Sequence, residues 1–130
     1  MSAMKLKLLL IALMCCVTFL THAYTPVSVA RQFCTAVYKN DMIKAKSLMS
    51  EEGARRTPNK MSFSKEEGDS YLQRLATAHY KIIEGVTASI VTVRFYDPQY
   101  EYLDKKGRWF CCSIGLVKVG GRWLVTDYGY

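Results

Sequence analysis

Few residues in this chain have side chains suited to chemistry. Beyond residue 23 it holds one histidine, His79, and three cysteines, Cys34, Cys111 and Cys112. A zinc site usually takes four nitrogen or sulfur ligands, commonly supplied as closely spaced pairs, and these residues show no such pairing. Cys111 and Cys112 are adjacent, so in a strand their side chains leave opposite faces and do not readily grip one ion together. Neither a metal nor a cofactor is expected. His79 sits where helical spacing gives way to strand-like sequence, and a lone imidazole there reads as a hydrogen-bonded boundary residue rather than a catalyst. No glycine-rich phosphate loop, nucleophile elbow or Ser/His/Asp set occurs. Tyr96, Tyr100, Tyr102, Trp109 and Tyr128 gather in the strand-like half. They suit a wall for an apolar ligand or a partner's surface, and they equally suit ordinary strand packing.

The elements that would position these residues begin after a leader. Residues 1–23 have the pattern of a secretory signal peptide: Lys5 and Lys7 at the start, an apolar run from Leu6 to Leu20 broken only by Lys7 and Thr18, then Thr21-His22-Ala23. The run is shorter than the roughly 20 apolar residues of a spanning helix, so no stable membrane anchor is expected after cleavage. Lipidation is disfavoured because Met14, not a small residue, precedes Cys15-Cys16. The expected product, residues 24–130, is a single exported domain, periplasmic by preference and otherwise secreted. Only Lys5 and Lys7 of the 18 basic residues leave with the leader, so 16 basic face 11 acidic groups. That surplus is scattered among acids rather than interleaved with aromatics, and it does not point to nucleic acid.

Thr25-Pro26 is a helix start, with Thr capping and Pro at the first helical position. Ala30, Phe33, Cys34 and Val37 then recur on one face as far as about Lys39. Asn40-Asp41 breaks the pattern. Asp41 caps a second helix carrying Met42, Ala45, Leu48 and Met49, which Gly53 is expected to end, and residues 54–63 read as a loop. Ser64 and Glu67 have capping-box spacing for a third helix through Tyr71, Leu72, Leu75 and Ala78. Period-two sequence follows, predicting strands near 80–86, 90–96 with a continuation through 100–103, 108–119 and 122–128. Asp104-Lys105-Lys106-Gly107 and Gly120-Gly121 read as hairpin turns, the second requiring the positive φ that glycine takes cheaply. Asp97-Pro98 predicts a bulge or an edge, because proline cannot donate to the ladder.

These elements make an α+β domain, with N-terminal helices packed on a curved antiparallel meander. Phe110, Cys112, Ile114 and Leu116 share its inward face, and Cys34 lies on the inward side of the first helix. A Cys34–Cys112 disulfide would close a loop of roughly eighty residues and contribute about 4 kcal/mol in the chain-entropy model. The alternative is that all three cysteines stay thiols.

The helix, the Asn40-Asp41 break, the second helix "MIKAKSLMSEEG" and the ending "VGGRWLV" together resemble the nuclear transport factor 2-like, cystatin-like cone superfamily, in particular its small exported bacterial domains. The resemblance spans residues 26–128 and is one of pattern. It implies a cone enclosing a pocket, and often a homodimer through the sheet, but no single activity. Steroid-isomerase-like members use buried carboxylates and tyrosines, which would correspond here to Tyr38, Asp97, Tyr100 and Asp127. Asp97 reads more simply as a turn residue. Pocket-lining candidates are therefore Tyr38, Tyr96, Tyr100, Trp109 and Asp127. The favoured function is a non-catalytic module binding a small apolar ligand or an envelope protein, the alternative being a small pocket enzyme of isomerase or hydrolase type.

Overall fold

The computed structural model of the protein describes residues 25–97 and 112–129. Four helices precede a four-stranded antiparallel sheet: α1 (Pro26–Tyr38), α2 (Met42–Ser47), α3 (Glu51–Arg56) and α4 (Lys65–Thr77), then β1 (His79–Glu84), β2 (Ile90–Tyr96), β3 (Ser113–Val119) and β4 (Arg122–Gly129). The strands lie in sequence order, β1-β2-β3-β4, so the architecture is α+β as the sequence predicts. Among the described residues no helix is long and apolar enough to cross a membrane. The leader of residues 1–23, the continuation at 100–103 and the turn at 104–107 lie outside the described residues.

Local chemistry sets most boundaries. The Thr25 side chain accepts a hydrogen bond from the Ser28 amide at 3.2 Å, and Pro26 follows at the first position of α1. At the other end Asn40 takes a positive φ of 57°, while the Asp41 amide donates back to the Ala36 carbonyl at 2.8 Å. The chain thus leaves α1 through a left-handed residue. The Asn40 side chain accepts from the Met61 amide and ties the later loop to this corner. Ser64 and Glu67 form the reciprocal capping box at the start of α4. Gly120 and Gly121, both at positive φ, join β3 to β4 with Val119 opposite Arg122.

The second helix departs from expectation. Residues 42–56 form two short helices, α2 and α3, because Leu48–Ser50 pairs with β4. Met49 bridges Val125 in parallel, the Ser50 amide donates to the Val125 carbonyl at 2.8 Å, and the Val125 amide donates to Leu48 at 2.9 Å. Ser50 then caps α3. Gly53 therefore does not end a helix but lies buried inside α3, where a Cβ would stand 2.8 Å from the Thr126 carbonyl oxygen. β2 ends at Tyr96, just before Asp97, and Pro98 lies outside the described residues; within them the sheet's irregularity is in β4. Gly115 faces Asp127 while Leu116 faces Val125, leaving Thr126 as a one-residue bulge.

The core is the face of β2, β3 and β4 under α1. Phe33, Cys34 and Val37 of α1 meet Val93 and Phe95 of β2, Cys112 just before β3, Ile114 and Leu116 of β3, and Val125 of β4, all essentially without solvent contact. The alternation that predicted Cys112, Ile114 and Leu116 to face inward holds; Phe110, read on the same face, lies outside the described residues. Phe33 and Tyr128 pack with their rings tilted by 53° and 5.3 Å between centroids.

Candidate functional site

The residues singled out from sequence do not converge. Tyr38 is buried at the end of α1, where its ring packs against Phe63 and Tyr71 at 6.4 and 5.2 Å. Tyr96 lies on the opposite face of the sheet from the core, since its neighbour Phe95 points inward. Its ring packs tilted against His79 at 5.8 Å, and the Lys81 ammonium sits 4.9 Å from its ring centroid. Asp127 is exposed on that same outer face two strands away, opposite Gly115, and accepts from the Thr126 hydroxyl at 2.8 Å. Tyr100 and Trp109 lie outside the described residues. Cys34 and Cys112 are both buried in the same core cluster, Cys34 on α1 and Cys112 just before β3. Cys111 falls outside the described residues. Among those described, no three His, Cys, Asp or Glu side chains gather as a metal site.

What the sheet exposes is its first strand. All six residues of β1 are exposed, whereas β2 and β3 bury every second side chain beside α1. Tyr80 and Ile82, opposite Phe95 and Val93 on the helix-bearing face, and Ile83 on the other face are each about half exposed, and Ile90 and Val86 at the β1–β2 connection are exposed as well. Among the described residues no strand pairs with the other side of β1. The Gly85 amide donates to the Ile90 carbonyl at 2.8 Å, and the pairing continues without a shift through Glu84↔Val91, Ile83↔Thr92 and Ile82↔Val93. In an antiparallel ladder bonded and non-bonded pairs alternate. His79, Lys81 and Ile83 therefore spend their N–H and C=O groups on β2, while those of Tyr80, Ile82 and Glu84 point away from the sheet. At the opposite edge, Leu48–Ser50 already occupies the corresponding groups of Val125.

A recess of about 360 Å³ opens at the start of this strand, lined by Arg31, Ala76, Thr77, Ala78, His79 and Tyr80. Arg31 is the only charged residue of α1. One position past Ala30, it turns off the apolar face that meets the sheet and reaches the end of α4. Its guanidinium donates to the Leu75 carbonyl at 3.0 Å and the Ala78 carbonyl at 3.2 Å. Both carbonyls lie at the C-terminal end of α4, where a cation is favoured by the helix dipole, and the Leu75 carbonyl also accepts from the Ala78 amide at 3.3 Å. Its Cζ also lies 5.0 Å from the centroid of the Phe95 ring. Arg31 was not among the residues singled out from sequence. The signal for it was its isolation as the one charge in an otherwise uncharged helix. The signal for the edge was "HYKIIE", which lacks the apolar-polar alternation that would commit one face of β1 to a core.

The class these features define, among the described residues, is an α+β domain whose sheet is engaged at Val125 along one edge and ends in β1 at the other, beside a recess holding Arg31. Comparison with protein-family models, with curated proteins and with solved structures finds no match to the chain.

Proposed function

We propose that the protein is an exported, non-catalytic binding module that takes an extended segment of another envelope protein as an added strand along β1. The observation that carries this reading is the coincidence, on one strand, of outward N–H and C=O groups with half-exposed Tyr80, Ile82 and Ile83. Strand addition draws its affinity from main-chain hydrogen bonds and its selectivity from alternate side chains. Among the described residues no segment covers the outer side of β1, which carries Lys81 and Glu84 but no proline, whereas sheet edges are commonly blunted by charge, proline or a covering segment. The space between α1 and β2–β4 is filled by Phe33, Val37, Val93 and Ile114, which favours a surface partner over an enclosed small ligand. The cone-like, nuclear transport factor 2-like reading of the fold belongs to the same proposal. Its support is the helices-first order and the meander that ends in a glycine hairpin.

The test is backbone NMR of the protein titrated with a short peptide of alternating valine and threonine. The amides of Tyr80, Ile82 and Glu84 gain protection from exchange on binding. Perturbation confined to the outer face of β3 and β4 overturns the assignment. So does a stable dimer that already protects those amides without peptide, since it gives the edge to a second copy. Export is checked separately by the mass of the secreted chain, which begins at Tyr24.

A further inference from the structure

Resting on that reading, the geometry points to the chemistry of the partner's end: the recess beside Arg31 receives the C-terminal carboxylate of a segment added antiparallel to β1. The direction follows from the strand. β1 runs from His79 to Glu84, so an antiparallel partner finishes opposite Tyr80, where the recess opens. Its terminal carboxylate lies along the strand axis, one step further toward Ala78 and Arg31. Its side chains instead leave roughly perpendicular to the sheet. A parallel partner would bring its N-terminal ammonium to the same place, against a guanidinium.

Arg31 suits that role. A guanidinium carries five N–H donors, and among the described residues its hydrogen bonds go to the carbonyl oxygens of Leu75 and Ala78 alone, with no carboxylate partner. The same two bonds and the Phe95 ring fix the group in place, so little further freedom is lost when a ligand docks. The remaining lining, Ala76, Thr77, Ala78, His79 and Tyr80, contains no acid to repel an anion. Arg and carboxylate match as a fork, and charge-assisted bonds of this kind are the stronger ones. The partner is therefore defined by two features read from different groups: an extended apolar-alternating segment for β1, and a free C-terminus for Arg31.

The experiment measures fluorescence anisotropy of the full chain with a fluorescein-labelled peptide of alternating valine and threonine. The peptide is made as the free acid, as the C-terminal amide, and as an amide ending in aspartate. The free acid is expected to bind about tenfold more tightly than the plain amide, the size of one charge-assisted hydrogen bond. The difference narrows with salt and disappears in Arg31→Gln. Should Arg31→Gln fail to fold, the acid and amide forms on the wild-type chain decide alone. Equal binding of acid and plain amide, both lost in Ile82→Pro, overturns the carboxylate inference and leaves strand addition standing. An aspartate-ended amide that matches the acid overturns the claim for a C-terminus in favour of an acidic side chain. No binding by any form, or binding untouched by Ile82→Pro, overturns strand addition itself.

Discussion

Gly68 shows how a single residue can run against its own propensity. It lies in the first turns of α4, where a glycine-to-alanine change ordinarily stabilises a helix by about 1 kcal/mol. Here a Cβ would stand 2.3 Å from the carbonyl oxygen of Tyr38, a backbone atom at the end of α1. The two helices approach so closely that only a hydrogen fits between them. Gly68→Ala is therefore expected to destabilise the protein by about 2 kcal/mol, the usual cost of overpacking, read as a lower denaturant midpoint at unchanged slope. A midpoint that rises would show that α4 moves away freely. Gly115 makes the opposite case. The atom its Cβ would meet is the carboxylate tip of Asp127, a side chain exposed enough to rotate away, so Gly115→Ala should cost less than Gly68→Ala.

At the scale of elements, the alternation along β1 is the feature most open to test. Proline removes an N–H, and it is tolerated in a sheet where that N–H faces outward. Ile82 points its amide away from β2, so Ile82→Pro should leave the denaturant midpoint nearly unchanged. Ile83 donates inward, so Ile83→Pro should cost on the order of 2 kcal/mol for the lost ladder bond and the carbonyl left without it. Similar losses at both positions would mean that β1 is paired in the other phase. A second element-scale prediction concerns the blocked edge. Ser50 caps α3, and its amide also donates to Val125. Ser50→Ala removes only the cap and should cost about 1 kcal/mol, visible as a lower midpoint with the Val125 amide still protected from exchange.

Across the whole molecule, what the sequence made legible was local, and what it hid was set by contacts between distant segments. Thr25-Pro26, Asn40, the Ser64–Glu67 box and Gly120-Gly121 each act within a few residues of themselves, so residue type alone placed the ends of α1 and α4 and the last hairpin. The break between α2 and α3 depends on Val125, some seventy-five residues further on. The buried placements of Gly53 and Gly68 depend on the backbones of β4 and α1. The same reason hid the candidate site. That β1 is the edge among the described strands follows from their order in space, and the recess exists only because α1, α4 and β1 meet. This distribution of contacts predicts uneven stability. β2 and β3 sit under α1 with Val93, Ile114 and Leu116 sealed from water, whereas every residue of β1 is exposed. Opening β1 uncovers little new surface, so its inward amides, those of Lys81 and Ile83, should exchange through a local opening that urea barely promotes. The amides of Val93 and Ile114 should exchange only by global unfolding, with a urea slope equal to that of the whole domain. Hydrogen exchange at several sub-denaturing urea concentrations separates the two. If the β1 and core amides fall on one line, the sheet opens as a single unit and β1 is too firmly held to serve as an independent docking edge.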